Sequence, residues 1–139
     1  MYETEFITAG LTIIGGVTIY VIGELINQFL IKPMVGLKEE IGRVASCLVY
    51  YSSIYSNPGT ASRDKQLEAS NELRLRASEL RAKMNVSDKW LRMHNLSKDK
   101  LKKASGGLIF LSNALFNGEA IENHQQRKEI ENLLNIENE

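Results

Sequence analysis

Several residue types are scarce in this 139-residue chain, and each scarcity removes a class of protein. The single cysteine, Cys47, has no partner for an intrachain disulfide and belongs to no metal-binding motif, so we expect a buried, reduced thiol. The two histidines, His94 and His124, have no second His or Cys nearby in sequence, which argues against a metal site or a nucleophile–base pair. No glycine loop is followed by the Lys-Ser or Lys-Thr of a phosphate-binding loop. We therefore expect no catalytic residues, no metal and no other cofactor.

Charge is missing from one long stretch near the N-terminus. No charged residue occurs from Phe6 to Gly23, and after Glu24 the chain is again uncharged through Ile31. Because about 20 apolar residues span a bilayer core of about 30 Å, this stretch predicts a transmembrane helix. A secretory signal peptide fits less well, since the chain opens with Glu3 and Glu5 and the apolar run is too long. A wholly buried helix also fits less well, because the remaining chain is too polar to surround it.

Basic residues are absent before this stretch and frequent after it. Lys32, Lys38 and Arg43 follow closely, so the positive-inside rule predicts that the C-terminal side is cytoplasmic. The predicted layout is a short outer tail (1–5), a transmembrane helix (6–32), a cytoplasmic helical bundle (33–135) and a frayed tail (136–139). We expect this protein in the inner membrane of a bacterium, crossing it once with its N-terminus outside.

The predicted span has a polar side and an apolar side. Placing residues at 100° steps gathers small and polar side chains on one arc: Ala9, Thr12, Gly16, Tyr20, Gly23, Glu24, Asn27 and Gln28. Ala9, Gly16 and Gly23 recur every seven residues, a pattern that allows helices to approach closely and predicts an oligomer seam. Ionisable residues within spans usually face a bundle interior or water. Thr12, Tyr20, Glu24, Asn27 and Gln28 are therefore candidate pore-lining residues, although Glu24 could instead lie at the cytoplasmic interface.

The rest of the chain has apolar residues at helical spacing and no segment with strand alternation, which predicts an all-α fold. The predicted helices cover residues 34–57, 62–85, 97–117 and 119–134, separated by a short helical turn or loop at 86–96. Their expected buried positions include Leu37, Val44, Leu48, Leu73, Ala77, Leu80, Leu101, Ala104, Leu108, Leu111, Leu115, Ile121, Ile130 and Leu134. Arg74, Arg76 and Arg81 are expected around the other sides. The result is a small antiparallel bundle that follows one transmembrane helix.

Three local features add detail to this fold. Ser62 and Ser97 are expected to cap the helices that they precede. Gly106-Gly107 in a helix costs about 1 kcal/mol per glycine relative to alanine, which indicates close contact with a neighbouring helix. Trp90 could either fill the bundle core or touch the membrane interface.

Charge is unevenly distributed although the formal net charge is zero. Residues 32 to 103 hold fifteen Lys and Arg against eight Asp and Glu, a balance of +7. Residues 104 to 139 hold two against six, a balance of −4. The basic part follows the predicted span directly, where anionic cytoplasmic headgroups would attract it.

Short segments spread over most of the chain resemble a family of small, uncharacterised single-pass bacterial membrane proteins. They are IKP, EEIG and LVYYSSIYSNP between Ile31 and Pro58, followed by ASELRAK and GGLIFLSNAL. Because these segments contain packing and capping residues, the resemblance implies a fold and a topology rather than an activity. The overall plan is similar to that of small CRISPR-associated accessory proteins of RNA-targeting systems, which join one spanning helix to a degenerate HEPN-like bundle and assemble into membrane pores.

The ribonuclease pair of HEPN proteins, an Arg followed four to six residues later by a His, does not occur here. Lys89 occupies the Arg position before His94, so no catalytic residue is carried over and we do not predict an enzyme. The leading prediction is a homo-oligomeric membrane protein that forms a pore and perturbs membrane integrity, as an effector of antiviral defence. The alternative is a non-catalytic, membrane-anchored module that recruits a cytoplasmic protein. The expected partners are the lipid bilayer and further copies of the chain, and nucleic acid is not expected.

Overall fold

The N-terminal stretch forms one long helix, as expected from its missing charges. A computed structural model describes residues 2–136, and their side chains from Glu3 onward. Helix α1 (Tyr2–Ile26) is long and apolar enough to cross a membrane, and none of its most apolar part is buried within the molecule. Because α1 begins at Tyr2, residues 2–5 of the predicted outer tail are helical. Met1 lies outside the described residues.

Pro33 does not end this helix. A π-helical turn (Asn27–Ile31) follows α1, and the Lys32 N–H donates to the Asn27 carbonyl five residues earlier. Helix α2 (Lys32–Tyr50) continues at once, and Pro33 is its second residue. The π turn is thus the local adjustment to the proline, and helical structure is unbroken from Glu3 to Tyr50.

The chain divides at Pro33 into two compact units, and the second unit, from Met34 onward, is a helical bundle. After α2, its elements are α3 (Ser52–Ser56), α4 (Arg63–Ala82), α5 (Asp88–Met93), α6 (Lys98–Asn117) and α7 (Ala120–Leu134). No strand occurs within residues 2–136. The predicted all-α fold, with one long apolar N-terminal helix before a bundle, is confirmed.

Contacts between distant residues give the direction of the bundle helices. Glu40 pairs with Arg76, whereas Tyr51, which follows α2, donates to Glu68 near the start of α4, so α2 and α4 are antiparallel. In the same way Arg74 contacts Asn113 and Arg81 contacts Ser105, so α4 and α6 are antiparallel. Helix α7 packs on α6 after the short connection at residues 118–119.

The core consists of aliphatic side chains from every long bundle helix. The largest fully buried residues include Leu37, Leu48, Leu73, Leu80, Leu101, Leu108, Leu111, Leu115 and Ile130. The stripe predicted on α6 is confirmed. Val49 and Ile121 were expected in the apolar stripes of their helices and are 63% and 73% exposed, so these two predictions were wrong. Asn123 occupies the buried position in the first turn of α7 instead, because its amide Nδ2 donates to the Tyr55 carbonyl at 2.8 Å.

The helix ends and caps predicted from the sequence are confirmed in part. The Ser97 hydroxyl accepts from the Lys100 N–H at 3.1 Å and caps α6 as predicted, whereas Ser62 precedes α4 without a side-chain cap bond. The helix predicted from 34 to 57 is interrupted at Tyr51, and α3 then forms a separate turn. Of the predicted frayed tail, Ile136 packs against the core and residues 137–139 lie outside the described residues.

The two neighbouring glycines of α6 have different surroundings. A Cβ added at Gly107 would lie 2.6 Å from Gln126 Nε2 and 2.8 Å from Ile130 Cγ1, whereas one added at Gly106 would meet nothing within 4 Å. The expected close helix contact therefore exists at Gly107 and not at Gly106.

Candidate functional site

The polar side of the first unit is concentrated around Glu24. Gln28 Nε2 donates to Glu24 Oε1 at 2.8 Å, across one turn. Glu24 and Asn27 are half-buried, and Tyr20 and Gln28 are exposed. No Lys or Arg within residues 3–136 forms an ion pair with Glu24. The carboxylate therefore has one neutral hydrogen-bond donor and no neutralising cation.

The depth of Glu24 follows from the rise of the helix. Glu24 lies 18 residues after Phe6, the first residue of the uncharged run, and a rise of 1.5 Å per residue separates them by about 27 Å along α1. If α1 spans a membrane with Phe6 at one edge of a hydrocarbon core of about 30 Å, Glu24 lies within one turn of the other edge. Asn27 and Gln28 would then follow at the interface, so these polar residues would belong to the C-terminal end of the span.

The threonines of α1 use their hydroxyls within the helix. Thr8 donates to the Thr4 carbonyl at 2.7 Å, Thr12 to the Thr8 carbonyl at 2.9 Å, and Thr18 to the Ile14 carbonyl at 2.8 Å. A hydroxyl bonded in this way needs neither water nor a partner helix. Thr12 is therefore compatible with a lipid-facing position, which makes it the weakest of the candidate pore-lining residues.

The predicted seam residues lie on an uncovered surface. Ala9, Gly16 and Gly23 are exposed, and a Cβ added at either glycine would meet nothing within 4 Å. A Cβ added at Gly15, which lies 100° away around the helix from Gly16, would also meet nothing within 4 Å. Among residues 3–136, nothing therefore packs against the two glycines of the seam.

A buried ion-pair network lies between α2 and α4. The side chain of Glu40 is fully buried, and its two carboxylate oxygens accept from Arg76 at 3.0 and 3.3 Å. Arg76 also donates through Nε to Glu72 Oε1 at 2.9 Å. Arg43 approaches Glu40 from the solvent side at 3.5 Å. Glu40 and Glu72 thus share Arg76, whose side chain is only 12% exposed. Because Glu40 belongs to α2 and Arg76 to α4, their charged hydrogen bonds hold these two helices together.

Sequence reasoning missed this network, although the sequence contained a sign of it. Glu40 lies three residues after Leu37 and four before Val44, so a carboxylate interrupts the buried stripe of α2. Arg76 was expected on a solvated side of its helix, and that prediction was wrong. A charged residue in the middle of an apolar stripe indicates a buried partner, because burying a lone charge is costly.

A groove of about 350 Å³ opens beside this network. Its lining residues are Arg43, Ser46, Cys47, Tyr50, Tyr51, Glu72 and Arg76. Cys47 is buried as expected, and burial together with Glu72 raises the pKa of its thiol to about 11. The thiol is therefore protonated at neutral pH and a poor nucleophile. Tyr50, at the edge of the groove, is 74% exposed.

The residues with general catalytic or metal-binding potential are dispersed. His94 is exposed and its ring packs on Trp90 with centroids 4.4 Å apart, while His124 is exposed on α7. Within residues 3–136, no group of three or more His, Cys, Asp or Glu side chains is placed to hold a metal ion.

Comparison with known proteins gives no relatives: no family model, no curated protein and no solved structure matches this chain.

Proposed function

We propose that this protein spans the bacterial inner membrane once and associates with further copies through α1. The N-terminus lies outside, the bundle is cytoplasmic, and the assembly opens a polar path that perturbs the membrane. The observation that carries the proposal is the Glu24–Gln28 pair. Its carboxylate has no cation among residues 3–136, and it follows the most apolar part of α1, which is unburied within the described residues.

Association would relieve an unfavourable arrangement. A carboxylate at the centre of a bilayer costs about 2.5 to 3.5 kcal/mol on insertion scales, and less toward the interface, where Glu24 is expected. Several helices that turn this residue toward a shared, hydrated centre keep the charge in water. The small residues Ala9, Gly16 and Gly23 lie on the same side and allow the backbones to approach. The path would then have its carboxylates near its cytoplasmic mouth.

A role in antiviral defence is supported by architecture alone. The plan of one spanning helix followed by a small helical bundle is similar to that of pore-forming CRISPR-associated accessory proteins. The proposed role is a loss of membrane potential when the assembly opens, with the bundle as the part that associates and senses.

A second function, a membrane-anchored recruitment module, is favoured by the groove between α2 and α4. Exposed Val49 and Tyr50 lie at the end of α2, and Tyr50 lines the groove. Exposed aromatic residues beside a groove are typical of protein contacts. In this function α1 only anchors the bundle to the membrane, so substitutions on the polar side of α1 do not affect recruitment of the partner.

The mass of the full chain in detergent or nanodiscs, measured by light scattering after size-exclusion chromatography, tests the assembly. We expect a discrete complex of several copies. Gly16→Leu should break it because leucine fills the seam, whereas Gly15→Leu changes the same residue type 100° away and should leave it intact. A monomer for the unaltered chain would overturn the proposed assembly.

Conductance across planar bilayers then separates the two functions. The unaltered chain should conduct, and Glu24→Gln should change its ion selectivity because the fixed charge at the inner mouth is lost. Glu3→Gln removes the same charge at the outer end of α1, about 140° around the helix from Gly16, and should have little effect on the selectivity. Absence of conductance from an inserted oligomer would favour the recruitment module.

A further inference from the structure

One end of the bundle gathers the start of α2, the end of α4 and the short helix α5. Lys38 Nζ lies 5.8 Å from the centroid of the Trp90 ring. Lys83 Nζ would lie 3.5 Å from a Cβ added at Gly36, so the end of α4 lies beside the first turns of α2. Three separate segments therefore contribute to the surface at this end.

Helix α5 shows a basic and apolar face to the outside. Leu91 is buried, and Lys89 and Met93, two residues away in either direction, point almost directly opposite on the helix. Met93 is 77% exposed although it is apolar. Arg92 is exposed and Trp90 is half-buried, and they flank the same face. Apolar side chains that are at least partly exposed beside basic residues are typical of helices that contact a membrane interface.

The cations at this end lack ion-pair partners in the part of the chain that the structure describes. Among residues 3–136, no carboxylate forms an ion pair with any of four basic residues: Lys38, Lys83, Lys89 and Arg92. Lys98, by contrast, is paired with Asp88 at 3.2 Å. Glu39 is the carboxylate next to Lys38 in sequence, and it reduces the local excess by one charge. A clear positive excess remains.

Chain connectivity keeps this surface near the bilayer if α1 spans it, so the inference rests on the proposed function. Lys38 follows Gln28, which lies at the interface if α1 spans the membrane, by ten residues. Ten residues of helix rise about 15 Å, and the headgroup layer itself covers about 5 to 8 Å of this distance. Lys38 and the Trp90 ring beside it are therefore within about a Debye length of the headgroup charge.

We propose that this α5 surface, formed by Lys38, Lys83, Lys89, Trp90, Arg92 and Met93, binds the anionic phospholipid headgroups of the leaflet that the bundle faces. The four cations contact lipid phosphates. Trp90 and Met93 contact the headgroup layer. The bundle is then docked on the membrane in a lipid-dependent way rather than only tethered to it.

The chain contains its own probe for this contact, because Trp90 is its single tryptophan. The full chain is reconstituted into vesicles of phosphatidylcholine alone or of an equal mixture with phosphatidylglycerol. Each set also carries lipids brominated close to the headgroup. We expect bromine quenching of Trp90 fluorescence to be strong in the mixed vesicles and weak in phosphatidylcholine.

Two matched double variants test which cations are responsible. Each basic residue near an anionic surface contributes on the order of a fivefold preference, so Lys89→Gln/Arg92→Gln should lower the docked-to-free ratio about 30-fold. Lys65→Gln/Lys128→Gln removes the same charge outside the α5 surface and should leave the quenching unchanged.

Insertion of α1 is measured separately, by flotation of the vesicles and resistance to alkaline extraction. An inserted protein whose Trp90 quenching is independent of phosphatidylglycerol, or of Lys89 and Arg92, overturns the headgroup contact while the proposed membrane function stands. A protein that does not float overturns both.

Discussion

The neighbouring glycines of α6 provide a direct test of how closely α6 and α7 approach. Gly107→Ala would place a methyl group 2.6 Å from Gln126 Nε2 and 2.8 Å from Ile130 Cγ1. Gly106→Ala would place the same group in open space on the same helix. The two substitutions are chemically identical, and only the second helix distinguishes them.

Two contributions determine how far each variant changes the free energy of unfolding. Replacing glycine by alanine inside a helix gains about 1 kcal/mol, and this term is common to both variants. Inserting a methyl group into a packed interface costs about 1 to 3 kcal/mol, and only Gly107→Ala carries this cost. The free energies of unfolding should therefore differ by about 1 to 3 kcal/mol. Gly106→Ala should be more stable than the unaltered protein by up to about 1 kcal/mol.

Urea unfolding of the full chain in mild detergent measures this difference. Trp90 fluorescence reports on the bundle alone, because α1 contains no tryptophan. Equal stability of Gly106→Ala and Gly107→Ala would show that α7 does not press on α6 at this point, and would refute the packing described for the pair.

Three further predictions concern the buried polar groups. Glu40→Ala should lower the free energy of unfolding by about 3 kcal/mol, because it leaves the half-buried Arg76 with only one carboxylate. Glu39→Ala, at an exposed neighbouring position, should change it by no more than about 0.5 kcal/mol. Equal urea midpoints for the two variants would contradict this prediction. Burial raises the pKa of Cys47 to about 11, so at neutral pH a thiol reagent should react about 100-fold more slowly with the folded protein than in urea. Burial also raises the pKa of Tyr55 to about 12 from 10.0. Because the pKa of Tyr55 is higher in the folded state than in the unfolded state, the protonated side chain stabilises the fold fully below pH 10. This contribution to the free energy of unfolding, about 3 kcal/mol, is lost as the pH rises toward 12. Tyr55→Phe should flatten this alkaline loss, and an unchanged pH profile would contradict the assignment.

Much of the fold could be predicted because apolar spacing determines which side of a helix is buried. The stripe of α6 from Leu101 to Leu115 is an example, since each of its positions follows the last by three or four residues. The cap at Ser97 is another, because its partner lies only three residues away. Interactions within one or two turns are encoded in adjacent sequence.

The failures involve partners that are far apart in the chain. Arg76 looks like a solvated residue until Glu40, thirty-six residues earlier, is placed against it. Asn123 replaces Ile121 at the buried position because Tyr55, sixty-eight residues away, offers a carbonyl. Periodicity within one helix contains no information about such pairings.

The candidate site on α1 was predictable as a pattern but not as an interface. The polar arc around Glu24 follows from the sequence, and its contact with Gln28 was implied by the spacing of one turn. Whether the seam of Ala9, Gly16 and Gly23 meets another helix depends on a second molecule. That information is not contained in the contacts of a single chain.

The contact between α3 and α7 has a consequence for biosynthesis. Tyr55 donates its hydroxyl to the Leu48 carbonyl near the end of α2, and its own carbonyl accepts from Asn123. The ribosome makes α7 after every other described helix, so this bond, and the cover over Gly107, form only when α7 emerges. During translation α1 is therefore complete while the bundle is still open. If α1 spans a membrane as proposed, its insertion can precede closure of the bundle.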